Sequence, residues 1–188
     1  PSTSSYIRSY FSIVSLGKMM PSVSVIMCTL NEEEFIRGAL ESLEKQDILS
    51  KCPDEFEFIV VDSYSEDRTA EIAEEYGWTV YQCERGKLTA RDFGIRKAKG
   101  EIIVSVDADT NYPKEWLGRI LRYFSDVYVV GVTSPRFLDP KEVGLFLTFL
   151  SFGFSLFDVG PLGLGGFRIT GQGSAFRRGA YFEVGGFD

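Results

Sequence analysis

The sequence predicts an α/β protein: a mostly parallel sheet sandwiched by helices, with a smaller mixed C-terminal half. Three observations carry this. From Ser22 onward, short β-branched and apolar runs alternate with segments of helical periodicity. The linking segments have the length of βαβ crossovers, which join parallel neighbours. Polar clusters follow three of the runs, at Thr29–Asn31, Asp62–Ser63 and Asp107–Asp109. They fall at strand carboxyl ends, where open α/β sheets bind ligands.

Ser22 to Cys28 (SVSVIMC) reads as the first buried strand. Asn31 follows as a predicted helix N-cap, with Glu34 as its capping-box partner and Glu32, Glu33 and Glu34 suited to the positive end of the helix. Phe35, Ile36, Ala39, Leu40 and Leu43 recur at helical spacing, predicting a helix to about Gln46. Phe56 to Val61 is the second strand, ending in Asp62; Ser63 and Glu66 form a second predicted capping box before a helix carrying Ala70, Ile72 and Ala73, stopped by Gly77. Trp78 to Gln82 is a short strand, Lys87 to Lys99 a third helix closed by Gly100, and Glu101 to Val106 (EIIVSV) a fourth strand. Pro113 opens a fourth helix with Trp116, Leu117, Ile120, Leu121 and Phe124, and Val127 to Thr133 is a fifth strand.

The last 50 residues differ in character. They hold 11 of the 19 glycines and nine of the 16 phenylalanines. Val143 to Phe157 carries no charge, yet is too short to span a bilayer, which takes about 20 apolar residues. It reads as a buried helix or an interfacial surface. Pro161 to Gly166 is a glycine-rich loop and Arg168 to Arg177 a predicted strand. Residues 1–20 are Ser-rich and read as an N-terminal arm or cloning remnant. The chain opens at Pro1 and closes at Asp188, and both ends are read as clipped. The remainder, 21–188, is expected to be a single domain, with a nucleotide-binding half over about 21–110 and an acceptor half over about 111–188.

Composition narrows the chemistry. The 188 residues are 44% hydrophobic and 25% charged, enough for one sizeable core and far from a disordered composition. Net charge is −7, which argues against a general nucleic-acid partner. Histidine is absent. That excludes Ser-His-Asp and Cys-His catalysis and HExxH zinc sites, and leaves proton chemistry to carboxylates, Lys, Tyr or Cys. Cys28, Cys52 and Cys83 make neither a CxxC pair nor a zinc cluster and read as reduced thiols of an intracellular protein.

The sharpest motif is Val106-Asp107-Ala108-Asp109-Thr110 at the end of a buried strand. Two carboxylates one residue apart can converge on a hard cation, Mn²⁺ or Mg²⁺, that shares oxygen ligands with phosphates. A plain capping turn is the alternative, and the placement after EIIVSV favours the metal. Asp62, at the edge of the second strand, can accept hydrogen bonds from a base or ribose. Arg85, Lys87 and Arg91 form a basic cluster around Gly86, just before a helix start where a phosphate can bind. No GxxxxGK[ST] or GxGxxG occurs, against a P-loop NTPase or a dinucleotide-binding dehydrogenase.

In order along residues 22–188, the segments VSVIMCTLNEE, FIVVDSYSEDRTAEIAEEYG, RGKLTARDFGIRKAKGEIIVSVDADT and GQGSAFRRGAYFEVGGFD resemble the inverting family 2 nucleotide-sugar glycosyltransferases of the GT-A fold, whose sheet is Rossmann-like. The resemblance implies a hexosyltransferase that moves a sugar from a nucleotide-diphosphate donor to an acceptor hydroxyl with Mn²⁺ or Mg²⁺. It implies that Thr29 and Asn31 lie beside the nucleotide, Asp62 reads the base, and Arg85, Lys87 and Arg91 line the donor pocket. Asp107 then approaches ribose and metal, and Asp109 is the main metal ligand. Cys28 stands where the family often has proline and Asp92 where it often has asparagine. The family's base usually follows the GGFD segment, where this chain ends.

Within the chain, Asp158, Glu183 and Asp188 are the candidate bases, and Asp158, in SLFDVGPLGLGG, is preferred. The acceptor is expected to be a carbohydrate, protein or lipid-linked hydroxyl. The location is expected to be cytoplasmic, with the 143–157 run allowing peripheral membrane contact, and a homo-oligomer is allowed. The alternatives are a non-catalytic nucleotide-sugar binding module and, less favoured because CTLNEEE lacks a glycine-rich loop with a basic residue, a nucleotidyltransferase.

Overall fold

The computed structural model describes residues 20–134 and 173–186. The elements run β1 (Val23–Thr29), α1 (Ile36–Glu44), β2 (Phe56–Asp62), α2 (Thr69–Glu75), β3 (Thr79–Gln82), α3 (Lys87–Lys97), β4 (Ile102–Val106), α4 (Trp116–Leu121), β5 (Gly131–Thr133), β6 (Ser174–Arg177) and α5 (Arg178–Glu183). They build one six-stranded sheet in the order β3-β2-β1-β4-β6-β5. The first four strands are parallel, as the alternation predicts. β6 runs antiparallel to β4 and β5 antiparallel to β6, the mixed C-terminal part.

Strand alternation sorts the core onto two faces. Val23, Val25 and Met27 of β1 join Val60, Val104 and Val106 and meet the buried stripe of α1 (Ile36, Ala39, Leu40, Leu43), Ile72 and Ala73 of α2, and Leu117 and Leu121 of α4. Ile26, Ile59, Val61 and Ile103 face the other way, against Ala90 and Ile95 of α3 and Tyr181 of α5. Each fully buried Ile, Leu or Val on these faces contributes about 1.5–3 kcal/mol. Met20 is buried in the larger cluster.

Several boundaries differ from the sequence reading. α1 begins at Ile36, not after Asn31, and neither it nor α2 carries a side-chain cap on its own N-cap residue. Asn31 is in the left-handed region (φ 54°) and its side chain serves another loop, so the predicted Asn31–Glu34 box does not form. The Ser63–Glu66 box does not form either, because α2 starts only at Thr69; Asp67 Oδ1 accepts the Thr69 N–H instead. α3 ends at Lys97 because Ala98 turns extended to enter β4. The fifth strand contracts to Gly131–Thr133, and the predicted 168–177 strand is seen as Ser174–Arg177, its first part lying outside the described residues. Asp158, Asp188, the 143–157 run and the 161–166 loop also lie outside them. Among the described residues no helix is long and apolar enough to cross a membrane.

Two details fix the C-terminal elements to the rest. The Arg177 guanidinium donates to the carbonyls of Val129, Phe124 and Asp126 and pairs with Glu101 at 3.1 Å, holding the segment before β5 against β6. Asp92 on α3 accepts the Tyr181 hydroxyl at 2.7 Å and pairs with Arg96 at 2.7 Å. The Arg96 hydrogen bond holds the Asp92 carboxyl below its usual range, overcoming partial burial, and the Tyr181 bond adds to it. A depressed folded-state value stabilises the fold above the unfolded carboxylate range, near 3.9, and that contribution disappears as pH falls through the lower folded value. Asp92→Asn is therefore expected to be less stable than wild type by about 1 kcal/mol or less from pH 5 upward, with the two urea curves converging as pH falls from 4 toward 3. A difference independent of pH would sink the account.

Gly100 sits where the chain enters β4, and an added Cβ would lie 2.5 Å from the Ser24 backbone nitrogen. Backbone cannot step aside as a side chain can. Gly100→Ala is expected to cost about 1–3 kcal/mol through overpacking. Gly179 in α5 has open space around its missing Cβ, and Gly179→Ala is expected to stabilise by up to about 1 kcal/mol. Chemical denaturation of the pair checks both signs.

Candidate active site

Parallel register brings the three polar clusters to one edge. Thr29 is paired with Asp62 at the ends of β1 and β2, and Met27 with Val106, so Asp107 follows directly beside them. The β2 end is closed on itself. Asp62 has no accessible surface. Its Oδ1 accepts the Thr29 hydroxyl at 2.8 Å and the Ser65 hydroxyl, and its Oδ2 accepts the Ser65 N–H at 2.8 Å.

The loops after β1 and β2 then cap each other. Asn31 N–H donates to Ser65 Oγ and Asn31 Oδ1 accepts the Glu66 N–H, both at 2.8 Å. Glu32 N–H donates to the Thr69 hydroxyl at 2.8 Å, Glu33 N–H to Asp67, and Arg68 N–H to the Glu33 carboxylate. The N–H groups of Asn31, Glu32, Glu33, Glu66 and Arg68 are thus satisfied across the gap, while the Thr69 N–H is met locally by Asp67.

The β4 end carries the charge. Lys87, the first residue of α3, places Nζ 3.6 Å from Asp107 Oδ1. It follows Gly86, whose φ of 148° suits glycine. Arg91, one turn on, is buried; its Nε donates to Ser105 Oγ at 3.0 Å. Its Nη2 lies 4.0 Å from Asp107 Oδ1 and, among the described residues, has no hydrogen-bond partner. Asp107 is 6% exposed, Asp109 exposed on the following turn. Burial raises the Asp107 carboxyl above its usual range; Lys87 opposes this and the nearby Asp109 charge adds to it. Glu32 is raised as well, by burial first and then by Asp109. Arg85 stands apart from Asp107 in its contacts, pairing with Glu66 at 3.4 Å in the open.

These residues fit a hard divalent cation. The donors are carboxylate oxygens that repel one another, beside a buried guanidinium N–H that has no acceptor among the described residues, a set suited to a cation that shares its shell with an anionic oxygen. Among the described residues no three His, Cys, Asp or Glu side chains converge on one point. A cation held by Asp107 and Asp109 would complete its shell from phosphate oxygens and water, the usual habit of Mg²⁺.

A further comparison decides the family. The profile of glycosyl transferase family 2 matches residues 24–185. The chain belongs to glycosyl transferase family 2. It is 38% identical over 105 residues to TarS, the poly(ribitol-phosphate) β-N-acetylglucosaminyltransferase of Staphylococcus aureus, covering 52% of this chain and 18% of that protein. It is 31% identical over 121 residues to the dolichyl-phosphate hexose transferase of Haloferax volcanii, covering 64% of this chain and 50% of that one. The chain thus spans half or less of the length of these relatives.

Among solved structures, the mannosyltransferase PcManGT of Pyrobaculum calidifontis, in complex with GDP-Man and Mn²⁺, superposes with a TM-score of 0.67 at 25% identity, over 97% of this chain and 55% of that one. A TarS fragment in complex with UDP-GlcNAc gives 0.54 at 33% identity, over 60% and 33%. The GT-A fold of this family-2 chain follows.

Sequence reasoning missed four residues of this edge. Ser65 and Ser105 are polar positions inside apolar or turn sequence, and the second is a serine on a wholly buried strand, a detectable oddity. Glu32 was read only as a helix-dipole acid. Tyr112 is the fourth: its buried hydroxyl accepts the Asp107 N–H at 2.8 Å, and its ring packs on Trp116 at 4.4 Å. Burial pushes the Tyr112 hydroxyl well above its usual pKa, so it stays protonated. Tyr112→Phe leaves the Asp107 N–H buried without this acceptor and is expected to cost about 1–3 kcal/mol. A urea midpoint within error of wild type would show that another group takes over the bond.

Proposed function

We propose that this family-2 chain carries the donor-binding site of an inverting, metal-dependent hexosyltransferase, which moves a sugar from a nucleotide-diphosphate donor to an acceptor hydroxyl. One observation carries the reading: the buried Arg91 Nη2, without a hydrogen-bond partner among the described residues, beside Lys87 and the Asp107–Asp109 pair on the carboxyl edge of the sheet. That PcManGT is in complex with GDP-Man and Mn²⁺, and the TarS fragment with UDP-GlcNAc, supports donor and cation alike.

In this proposal Asp107 and Asp109 hold Mn²⁺ or Mg²⁺. When bound, the cation supplies Lewis-acid stabilisation of the leaving diphosphate. Lys87 and Arg91 bring fixed positive charge to the same oxygens, and Arg91 is held in place beforehand by Ser105, so little reorganisation is needed as charge develops. Thr29, Asn31 and Asp62 shape the nucleoside end, and Arg85 attracts the donor from the rim. Asp158 is the proposed base that takes the acceptor proton from the face opposite the leaving group. Residues 21–110 form the nucleotide-binding half and 111–188 the acceptor half. The acceptor is a carbohydrate, protein or lipid-linked hydroxyl, the last in keeping with the uncharged 143–157 run.

Asp109→Ala is expected to lower Mn²⁺-dependent sugar release or transfer by 10²-fold or more. Asp158→Asn is expected to abolish transfer while nucleoside diphosphate binding by calorimetry stays within about twofold of wild type. Full turnover in Asp158→Asn would remove it as the base, whereas a wild-type chain that binds donor but never transfers sugar would mark a binding module.

A further inference from the structure

We infer that Tyr64 is the aromatic platform on which the donor nucleobase stacks, an inference that rests on the donor-binding function proposed above. Tyr64 has φ 56°, in the left-handed region that favours glycine and that a bulky aromatic rarely enters. Two hydrogen bonds hold it there. Its own N–H donates to Gln82 Oε1 at 3.2 Å, and the next N–H, of Ser65, donates to Asp62 Oδ2.

Packing does not repay this conformation, because the Tyr64 side chain is 58% exposed while its neighbour Ser63 is buried. Among the described residues no aromatic or cationic partner sits on its ring. Strain that the fold maintains without a packing return is characteristic of ligand contacts.

The position selects the ligand. Tyr64 lies two residues beyond Asp62, at the carboxyl end of β2 and beside the last residue of β3. Asp62 itself has no accessible surface and its oxygens are committed to Thr29 and Ser65, so it meets a base only if those donors turn away. Tyr64 offers this end an exposed phenol ring. Lys87, Arg91 and Asp107 mark the diphosphate end at β4, and β1 lies between β2 and β4. Two strand spacings make about 10 Å, a span that ribose and the first phosphate fill. A planar heterocycle is what a phenol face recognises, largely without regard to which base it is.

The test uses the 188-residue chain with Mn²⁺ and either UDP, GDP or inorganic pyrophosphate, which has no base. Tyr64→Gly is expected to raise the melting temperature by about 2–4 °C, because glycine adopts this φ without strain. It is also expected to weaken UDP and GDP binding in calorimetry by about 10-fold or more, and to leave pyrophosphate binding unchanged. Tyr64→Trp retains nucleotide affinity, and its added indole emission is quenched by UDP or GDP but not by pyrophosphate.

Unchanged nucleotide affinity in Tyr64→Gly, an equal loss for pyrophosphate, or an unquenched Tyr64→Trp signal overturns the stacking role while leaving the donor site intact. A wild-type chain that binds no nucleoside diphosphate overturns the donor reading, and the stacking role with it.

Discussion

A carboxyl group with no access to water is costly to bury unless neighbouring donors replace the hydrogen bonds that water would make. Asp62 meets that condition with the Thr29 hydroxyl, the Ser65 hydroxyl and the Ser65 N–H. Thr29 ends β1 and Ser65 lies in the loop after β2, so satisfying one side chain fixes how that loop sits against the neighbouring strand end. The Asn31, Glu33 and Asp67 side chains then exchange hydrogen bonds with backbone across the gap, and α1 and α2 each begin at a height set by the other loop. Remove the Asp62 carboxylate and the mutual caps lose their common reference. The geometry of the β1–β2 end, including the conformation of Tyr64, depends on this one buried carboxyl group.

The same constraint explains what could be seen from sequence and what could not. Strand runs such as SVSVIMC and EIIVSV carry their burial in their composition, and the connection lengths between them demand parallel pairing, so the sheet and its ligand edge were legible. The clusters at Thr29–Asn31, Asp62–Ser63 and Asp107–Asp109 were legible for the same reason, since register follows from the pattern. The capping box at Asn31 was misplaced because a local motif cannot reveal that its side chain has a better partner 35 positions away, and the one at Ser63 because the helix starts only at Thr69. Tyr112 escaped notice likewise: nothing in NYP signals that its hydroxyl returns to the Asp107 backbone. Asp92, a departure from the asparagine frequent in the family, is explained only by Arg96 and by Tyr181, 89 positions away.

The charges at the end of β4 are arranged differently from ordinary surface pairs. Lys87 and Arg91 approach Asp107 Oδ1 at 3.6 and 4.0 Å, which is close enough to attract and too far to form good hydrogen bonds. A pair optimised for stability would close to about 2.8 Å. Ser105 engages Arg91 through Nε, and among the described residues Nη2 has no hydrogen-bond partner, only the Asp107 carboxylate at 4.0 Å. Tyr112 meanwhile pins the Asp107 backbone, so the carboxylate cannot move to meet the guanidinium. In the proposed donor complex, that guanidinium N–H is the group placed to meet a phosphate oxygen.

That arrangement also answers a difficulty posed by the chain's net charge of −7. An acidic protein repels an anionic donor, yet at physiological ionic strength this repulsion is screened beyond about 8 Å. Charges inside that distance therefore decide binding, and there the balance differs from the global one. Lys87 and the buried Arg91 sit against a single carboxylate, and a divalent cation on Asp107 and Asp109 would make the pocket net positive. Because Arg91 is desolvated, its attraction for a phosphate oxygen is screened less than that of a surface lysine. Binding of the proposed nucleoside diphosphate donor would thus need no basic surface, only a few cations fixed at one end of a short edge and the proposed aromatic face at the other.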